Sequence, residues 1–202
     1  MDHGCRRRRV LDAAIEVLGA GGLRRLTYQA VDAAAGVPPG TTSEHFRTRE
    51  ALLDGLVAHL VTLDLEDWDD GGEPGAGHPL PTGPEEFAVT MSRMVLRLVG
   101  PGRNRTLARY QILVEASARP SLRRPLEEAR KSLLTWGAGL LRDLGASSPE
   151  QDCRTLFSLL DGLMLQQLTL DDEDFDPLPS VRTAVRAILP EPDGAPVAPG
   201  PS

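Results

Sequence analysis

Apolar positions recur at helical spacing along most of the chain. Val10, Ala14, Val17 and Leu18 stand at i, i+4, i+7 and i+8, the stripe of an amphipathic helix. Gly19, Gly21 and Gly22 end it, as glycines do. Thr27 is placed to cap a second helix through its hydroxyl, with Ala30, Val31 and Ala34 as a small packing face and Gly36 as its end. Pro38-Pro39 suits only a first helical turn, so a third, short helix is predicted from Pro39 to Phe46. Thr48 can cap a fourth, from Arg49 to about Leu65, with Leu52, Leu53, Leu56, Val57 and Leu60 on its apolar side. Residues 66–84 are rich in Gly, Pro and acids and read as a flexible loop. Helices resume at about 85–99, 105–118, 121–144 and 149–170. The acidic run Asp171–Asp176 reads as a solvated loop before a last helix at 179–189, and the Pro/Gly-rich tail 190–202 is expected to be disordered. No strand alternation and no internal repeat is visible, so the expected fold class is all-α.

Composition agrees with a globular protein. Of 202 residues, 41 % are hydrophobic and 25 % charged, which allows a packed core in one large or two small domains. The net charge of −7 by itself argues against a nucleic-acid binder. Its distribution argues otherwise: eight of the 22 basic residues are arginines within residues 1–55, and the acidic excess lies in the remainder. One part of the chain is thus suited to a polyanion. Arg6 to Arg9 form either an arm over phosphates or into a minor groove, or a solvated terminus. Lys131 is the single lysine, a bias typical of GC-rich bacterial coding.

Two cysteines, Cys5 and Cys153, make no disulfide framework and read as reduced thiols. Cys153 is either a redox switch or a buried inert thiol. No apolar run approaches the ~18 residues of a membrane span. Asp12 and Glu16 interrupt anything resembling a signal peptide, so a cytoplasmic location is expected. His3, His45, His59 and His78 are scattered. No metal-ligand, phosphate-loop or nucleophile motif is present, and Asp171–Asp176 lacks the glycine and terminal Glu of a calcium loop. No enzyme activity, cofactor or metal is expected.

The sharpest feature is Leu26 to Leu53. A helix of about eight residues, a turn with Gly36 and a second short helix make a helix-turn-helix pattern, although two core helices joined by a turn would read the same way. In a DNA reader, the second helix presents small or polar side chains to base edges. Gly40, Thr41, Thr42, Ser43, Glu44 and His45 suit that, with Phe46 as the apolar anchor.

Leu26-Thr-Tyr-Gln-Ala-Val-Asp-Ala-Ala-Ala-Gly-Val37, Gly40-Thr-Thr-Ser-Glu-His-Phe46 and Arg49-Glu-Ala-Leu-Leu53 resemble the N-terminal domain of tetracycline-repressor-like (TetR family) transcriptional regulators, over about Arg7 to Leu56. The resemblance implies phosphate contacts at Thr27 and Tyr28, a turn-to-helix glycine at Gly40, and groove-facing positions at Thr41, Thr42, Ser43 and Glu44. It also implies a backbone contact at His45 and a phosphate partner at Arg49. The sequence departs from the family at Pro39, where a Lys or Arg is usual, and at Ser43, where an aromatic is frequent. Glu44 brings a carboxylate that either accepts from cytosine N4 or points to solvent.

The implied organisation is a three-helix DNA-binding domain at 1–56 and a helical effector-binding and dimerisation domain at 57–189. Arg109 to Leu122 and Leu160 to Met164 loosely resemble such regulators. Leu156, Leu159, Leu160, Leu163 and Leu170 form one apolar face, Gly162 permits close approach, and Val181, Val185 and Ile188 form another. These faces either build a four-helix homodimer interface or serve as intrachain core. Met91, Met94, Tyr110, Trp136, Phe157 and Met164 are candidate pocket residues, or plain core. Few charged residues other than Glu115 and Arg97 are candidates for the interior, and that scarcity favours an apolar small-molecule effector. The expected partners are a double-stranded DNA operator, a second copy of the chain and that effector, with no membrane. The function expected is a one-component regulator, a repressor by resemblance, released from a palindromic operator when an effector favours the DNA-incompetent state. The fourth helix would carry the motion. The alternatives are a helical ligand-binding dimer that has lost specific DNA binding, and an enzyme on a helical scaffold.

Overall fold

The computed structural model of the protein describes residues 3–69 and 81–189. Within them the chain forms α1 (His3–Gly21), α2 (Tyr28–Ala35), α3 (Thr41–His45), α4 (Arg49–Asp69), α5 (Pro84–Val99), α6 (Arg103–Ala118), α7 (Pro120–Asp143), α8 (Pro149–Leu170) and α9 (Leu178–Ile188), with no strand among the described residues. The chain is all-α, as its periodicity predicts. Of the expected loop at 66–84, residues 70–80 lie outside the described residues, and α4 runs on to Asp69, past the predicted end at Leu65. The expected tail at 190–202 also lies outside the described residues.

Packing divides the helices into two units. The first unit joins α1–α4 to Arg97–Ser132, which holds all of α6 and the first half of α7. Its core is built from Val10, Leu18, Leu26, Val31, Leu52, Leu53, Leu56, Ile112 and Leu122, each at most 2 % exposed. Burial of such a side chain contributes about 1.5–3 kcal/mol. Helix α1 is longer than its apolar stripe suggests. Arg6 to Arg9 lie inside it, so they form neither a free arm nor a loose terminus. Arginine is a good helix former, and the Arg7 guanidinium stands 5.1 Å from the centre of the Phe46 ring, within cation–π range.

Helix α6 crosses α1 closely. Asn104 Nδ2 donates to Glu16 Oε2 at 2.7 Å. Gln111 Nε2 donates to the Leu18 carbonyl at 3.0 Å, which meets the hydrogen-bonding need of a helix end. One turn earlier on α1, His59 Nε2 of α4 lies 2.6 Å from Asp12 Oδ1. Arg119, at the end of α6, bonds Glu115 and reaches Glu50 at 3.4 Å.

The second unit holds Pro81–Leu96 and Leu133–Leu189 of the described residues. Its buried side chains include Phe87, Met91, Val95, Leu141, Leu156, Leu160, Met164, Val181 and Val185. Helices α8 and α9 pack together. Arg182 of α9 grips Glu85 of α5 with two nitrogens, and those hydrogen bonds hold the Glu85 carboxyl below its ordinary range.

Cys153 sits in this interior at 1 % exposure, and burial pushes its thiol up to about 11. The thiolate is the reactive form. At pH 8 the native protein is therefore expected to react with a thiol reagent at the exposed Cys5 and not at Cys153. A second equivalent should appear only on denaturation. Rapid native labelling of both thiols would show that this packing is wrong, and the same result would revive the redox switch considered above.

Candidate nucleic-acid interface

Local sequence sets most of the helix-turn-helix. Thr27 is extended at φ −118°, ψ 154°, and its hydroxyl accepts from Ala30 N, capping α2. Gly36 closes α2 in the left-handed region at φ 59°. The Val37 and Gly36 amides then donate back to the Asp32 and Ala33 carbonyls, the paired bonds of a Schellman end. The chain re-enters a helix through Gly40 at φ 95°, a conformation that L side chains resist. That angle explains why α3 begins at Thr41 and not at the predicted Pro39. Thr48 caps α4, its hydroxyl accepting from Ala51 N at 3.1 Å.

The residue that ties these pieces together is one the sequence reading passed over. Asp32 is 4 % exposed. One carboxylate oxygen accepts from Gly40 N at 2.7 Å. The other accepts from Thr42 N at 2.8 Å and Thr42 Oγ1 at 2.5 Å. A carboxylate at a helix N-terminus satisfies free amides and complements the helix dipole. The signal was available: a lone acid in an alanine-rich helix needs a partner when buried.

The structure divides the expected DNA-contact residues. Thr41 and Thr42 do not face outward. They are 5 % and 0 % exposed, and their hydroxyls are spent on the Pro38 carbonyl and on Asp32. Pro39, Gly40, Ser43 and Glu44 are the exposed members, with Ser43 Oγ bonded back to the Gly40 carbonyl. His45 is half-buried, its ring tilted against Phe46. Phe46 is buried at 3 %, as an anchor should be. Tyr28 is half-buried and packs on the core, and Thr27 is exposed.

Arg49 has partners within the protein. Its guanidinium donates to the Leu26 carbonyl at 3.0 Å and the Leu23 carbonyl at 2.5 Å, so it clamps the α1–α2 turn to the start of α4. Positive charge for a polyanion is left to exposed arginines of the same unit, among them Arg6, Arg24, Arg25 and Arg47.

In the C-terminal unit the expected interface residues turn inward. Leu156, Leu160, Val181 and Val185 are buried within their own chain, and Leu159, Leu163 and Ile188 are half-buried. An open cleft on the other side of this helix pair is lined by Leu159, Pro179, Ser180, Thr183, Ala184 and Ala187. Leu165 and Leu170 of α8 are also exposed. Apolar periodicity found the buried stripe of α9 and not its small-residue face.

Of the candidate ligand residues, Met91 and Met164 are buried, and Met94, Trp136 and Phe157 are half-buried. Phe157 lies against Gly137. Tyr110 is half-buried in the first unit, whereas the other five belong to the second. A second cleft, in the first unit, runs between Arg9, Asp12 and Glu16 of α1, Ala34 of α2, and Gly102 and Arg105. Neither cleft is lined by any of the six. Arg97 is exposed and Glu115 is bonded to Arg119, so neither is an unpaired internal charge. Among the described residues, no group of His, Cys, Asp and Glu could hold a metal ion. No described helix is long and apolar enough to cross a membrane.

Residues 10–56 match the family of bacterial regulatory proteins, tetR family, and residues 82–191 match the tetracyclin repressor-like C-terminal domain. No curated protein matches the chain. Among solved structures, the chain is similar to the multidrug binding protein EbrR complexed with ethidium. The two are 27 % identical, with 92 % of this chain and 99 % of that one covered and a TM-score of 0.67. A TetR family member from Streptomyces coelicolor A3 is 27 % identical, with 92 % and 98 % covered and a TM-score of 0.62. A transcriptional regulator from Rhodococcus sp. Rha1 shares the fold at 21 % identity, with 90 % and 95 % covered and a TM-score of 0.70. With both halves of the chain matched in order, this protein belongs to the TetR family of transcriptional regulators.

Proposed function

We propose that this regulator is a homodimeric one-component repressor that reads a palindromic operator with paired α3 helices and leaves it when a small apolar molecule binds the C-terminal helices. The observation that carries the reading is the locked α3. Its outer side presents Ser43 and Glu44, its inner side is bonded to Asp32, and exposed arginines belong to the same unit. Two such helices read half-sites about one DNA turn apart only when a two-fold axis relates them.

The dimer contact is assigned to the exposed side of α8 and α9: Leu159, Ser180, Thr183, Ala184 and Ala187, with Leu165 and Gly162. Small residues there let helices approach closely, and a Cβ at Gly162 meets nothing within 4 Å in the single chain. An aromatic effector is supported by EbrR, a relative complexed with ethidium. Release needs only that the effector bind the DNA-incompetent dimer better than the competent one.

The test is fluorescence anisotropy on duplexes enriched from a random-site pool, with an unrelated duplex as control and salt varied. A repressor of this kind binds its site ~10³-fold or more above the control, with affinity falling steeply as salt rises. It binds as two chains per duplex. A pool that yields no preferred sequence would overturn the reading in favour of a helical ligand-binding dimer without DNA recognition.

A further inference from the structure

We propose that Asp32 is the positioning residue that sets which side of the recognition helix reads bases, acting through Thr42 and the backbone of Gly40. The inference rests on the DNA-binding reading above and adds a specificity determinant that never touches DNA.

Helix α3 has five residues, too few to be stable alone, because the first helical turn costs more conformational entropy than it returns. Its rotation about its own axis is therefore decided by what holds it. Beside the buried Thr41, whose hydroxyl bonds the Pro38 carbonyl, two groups from outside the helix do so. Phe46, just after the helix, fills the core at 3 % exposure, which fixes the C-terminal end. Asp32 fixes the N-terminal end by taking three donors at 2.5–2.8 Å, two of them the amides of Gly40 and Thr42. With Thr42 pinned inward, Ser43 and Glu44 are turned outward. Without that pin, the N-terminal end of α3 keeps the Thr41–Pro38 bond, which is local to the turn, and α3 can roll about Phe46.

The chemistry requires a carboxylate. Three donors converge on two oxygens, so the group must act as acceptor only. An amide in its place has one oxygen and sets an NH₂ against a donor. The same bonds carry a second consequence. The Gly40 and Thr42 amides and the positive end of α3 are satisfied inside the protein, so phosphate attraction falls to the arginines. Asp32 therefore contributes to specificity and opposes affinity, being a negative charge beneath a DNA-facing helix.

The test compares the wild type with Asp32→Asn, Thr42→Val and Thr42→Ser, on the duplex that the wild type enriches from a random pool and on an unrelated duplex. Asp32→Asn should lower the ratio of specific to non-specific affinity ~10-fold or more, the scale of one lost base contact. Its non-specific affinity should be unchanged or higher, because one negative charge is gone. Thr42→Val should fall between, and Thr42→Ser should keep the wild-type ratio. In amide hydrogen exchange, Gly40 and Thr42 should open faster in Asp32→Asn while the α1 core stays protected.

A wild-type ratio in Asp32→Asn overturns the proposal, as does an equal loss on both duplexes, which marks a merely structural role. If Asp32→Asn does not fold, the Thr42 pair decides: a wild-type ratio in Thr42→Val overturns it. A wild type that enriches no sequence overturns the DNA-binding reading and this proposal together, and that result is seen before any variant is compared.

Discussion

Replacing Gly19 by alanine is expected to destabilise the first unit by about 3 kcal/mol, the upper part of the range for forcing extra volume into a packed site. In an open helix the same change stabilises by roughly 0.5–1 kcal/mol, since alanine orders less backbone entropy than glycine. Here the added methyl carbon would stand 2.0 Å from the Asn104 carbonyl oxygen and 2.7 Å from its Cα, far inside the ~3.5–4.0 Å of comfortable contact. The obstacle is backbone at the start of α6, so no side-chain rotation relieves it. The helix must back away, and the Asn104–Glu16 and Gln111–Leu18 bonds go with it. Gly139→Ala is the control, because nothing stands within 4 Å of a Cβ there. Urea unfolding of the two variants should give shifts of opposite sign. A Gly19→Ala protein as stable as the wild type would mean that α6 does not lie on α1 in this way.

Phe46 and Gly55 are expected to behave as one unit. Truncating the buried Phe46 to alanine should cost about 3–5 kcal/mol through lost transfer energy and the cavity left behind. Gly55 lies in α4 beneath the ring, where a methyl would come within 2.6 Å of the ring carbon Cε1 and 3.4 Å of Leu11. Gly55→Ala should therefore cost about 1–3 kcal/mol by overpacking, as the ring is pushed out and leaves Arg7. The double variant should cost less than the sum, because the methyl of one enters the space vacated by the other. Contacting residues typically couple by ~0.5–3 kcal/mol. A double-mutant cycle that is additive within error would show that ring and glycine do not touch. Because Phe46 anchors the C-terminal end of α3, both single variants should also weaken DNA binding at temperatures where the unit is still folded.

Much of this architecture was legible in the chain. Periodicity of apolar residues places most of the helices to within a few residues, the start of α1 at His3 excepted, and local sequence marks the Thr27 and Thr48 caps, the Gly36 turn and the buried Phe46. Each rests on interactions within a few residues along the chain, where spacing and side-chain type decide the geometry. The spacing of Gly36, Gly40 and Phe46 marked the helix-turn-helix for the same reason.

What the tertiary structure decided lies between residues far apart in sequence. Arg49, a phosphate partner by resemblance, bonds the carbonyls of Leu23 and Leu26, a role its spacing does not show. Thr42 was expected in the groove and instead bonds Asp32. Gly19 read only as a helix end, yet it is where α6 crosses α1. The stripe of Val181, Val185 and Ile188 reads as apolar but leaves open whether it faces a second chain or its own core; packing buries Val181 and Val185 within their own chain. A pattern along the sequence shows that a side chain must be covered or a polar group satisfied. Which partner does so depends on where helices separated by tens of residues meet, and that is settled by packing the whole unit at once.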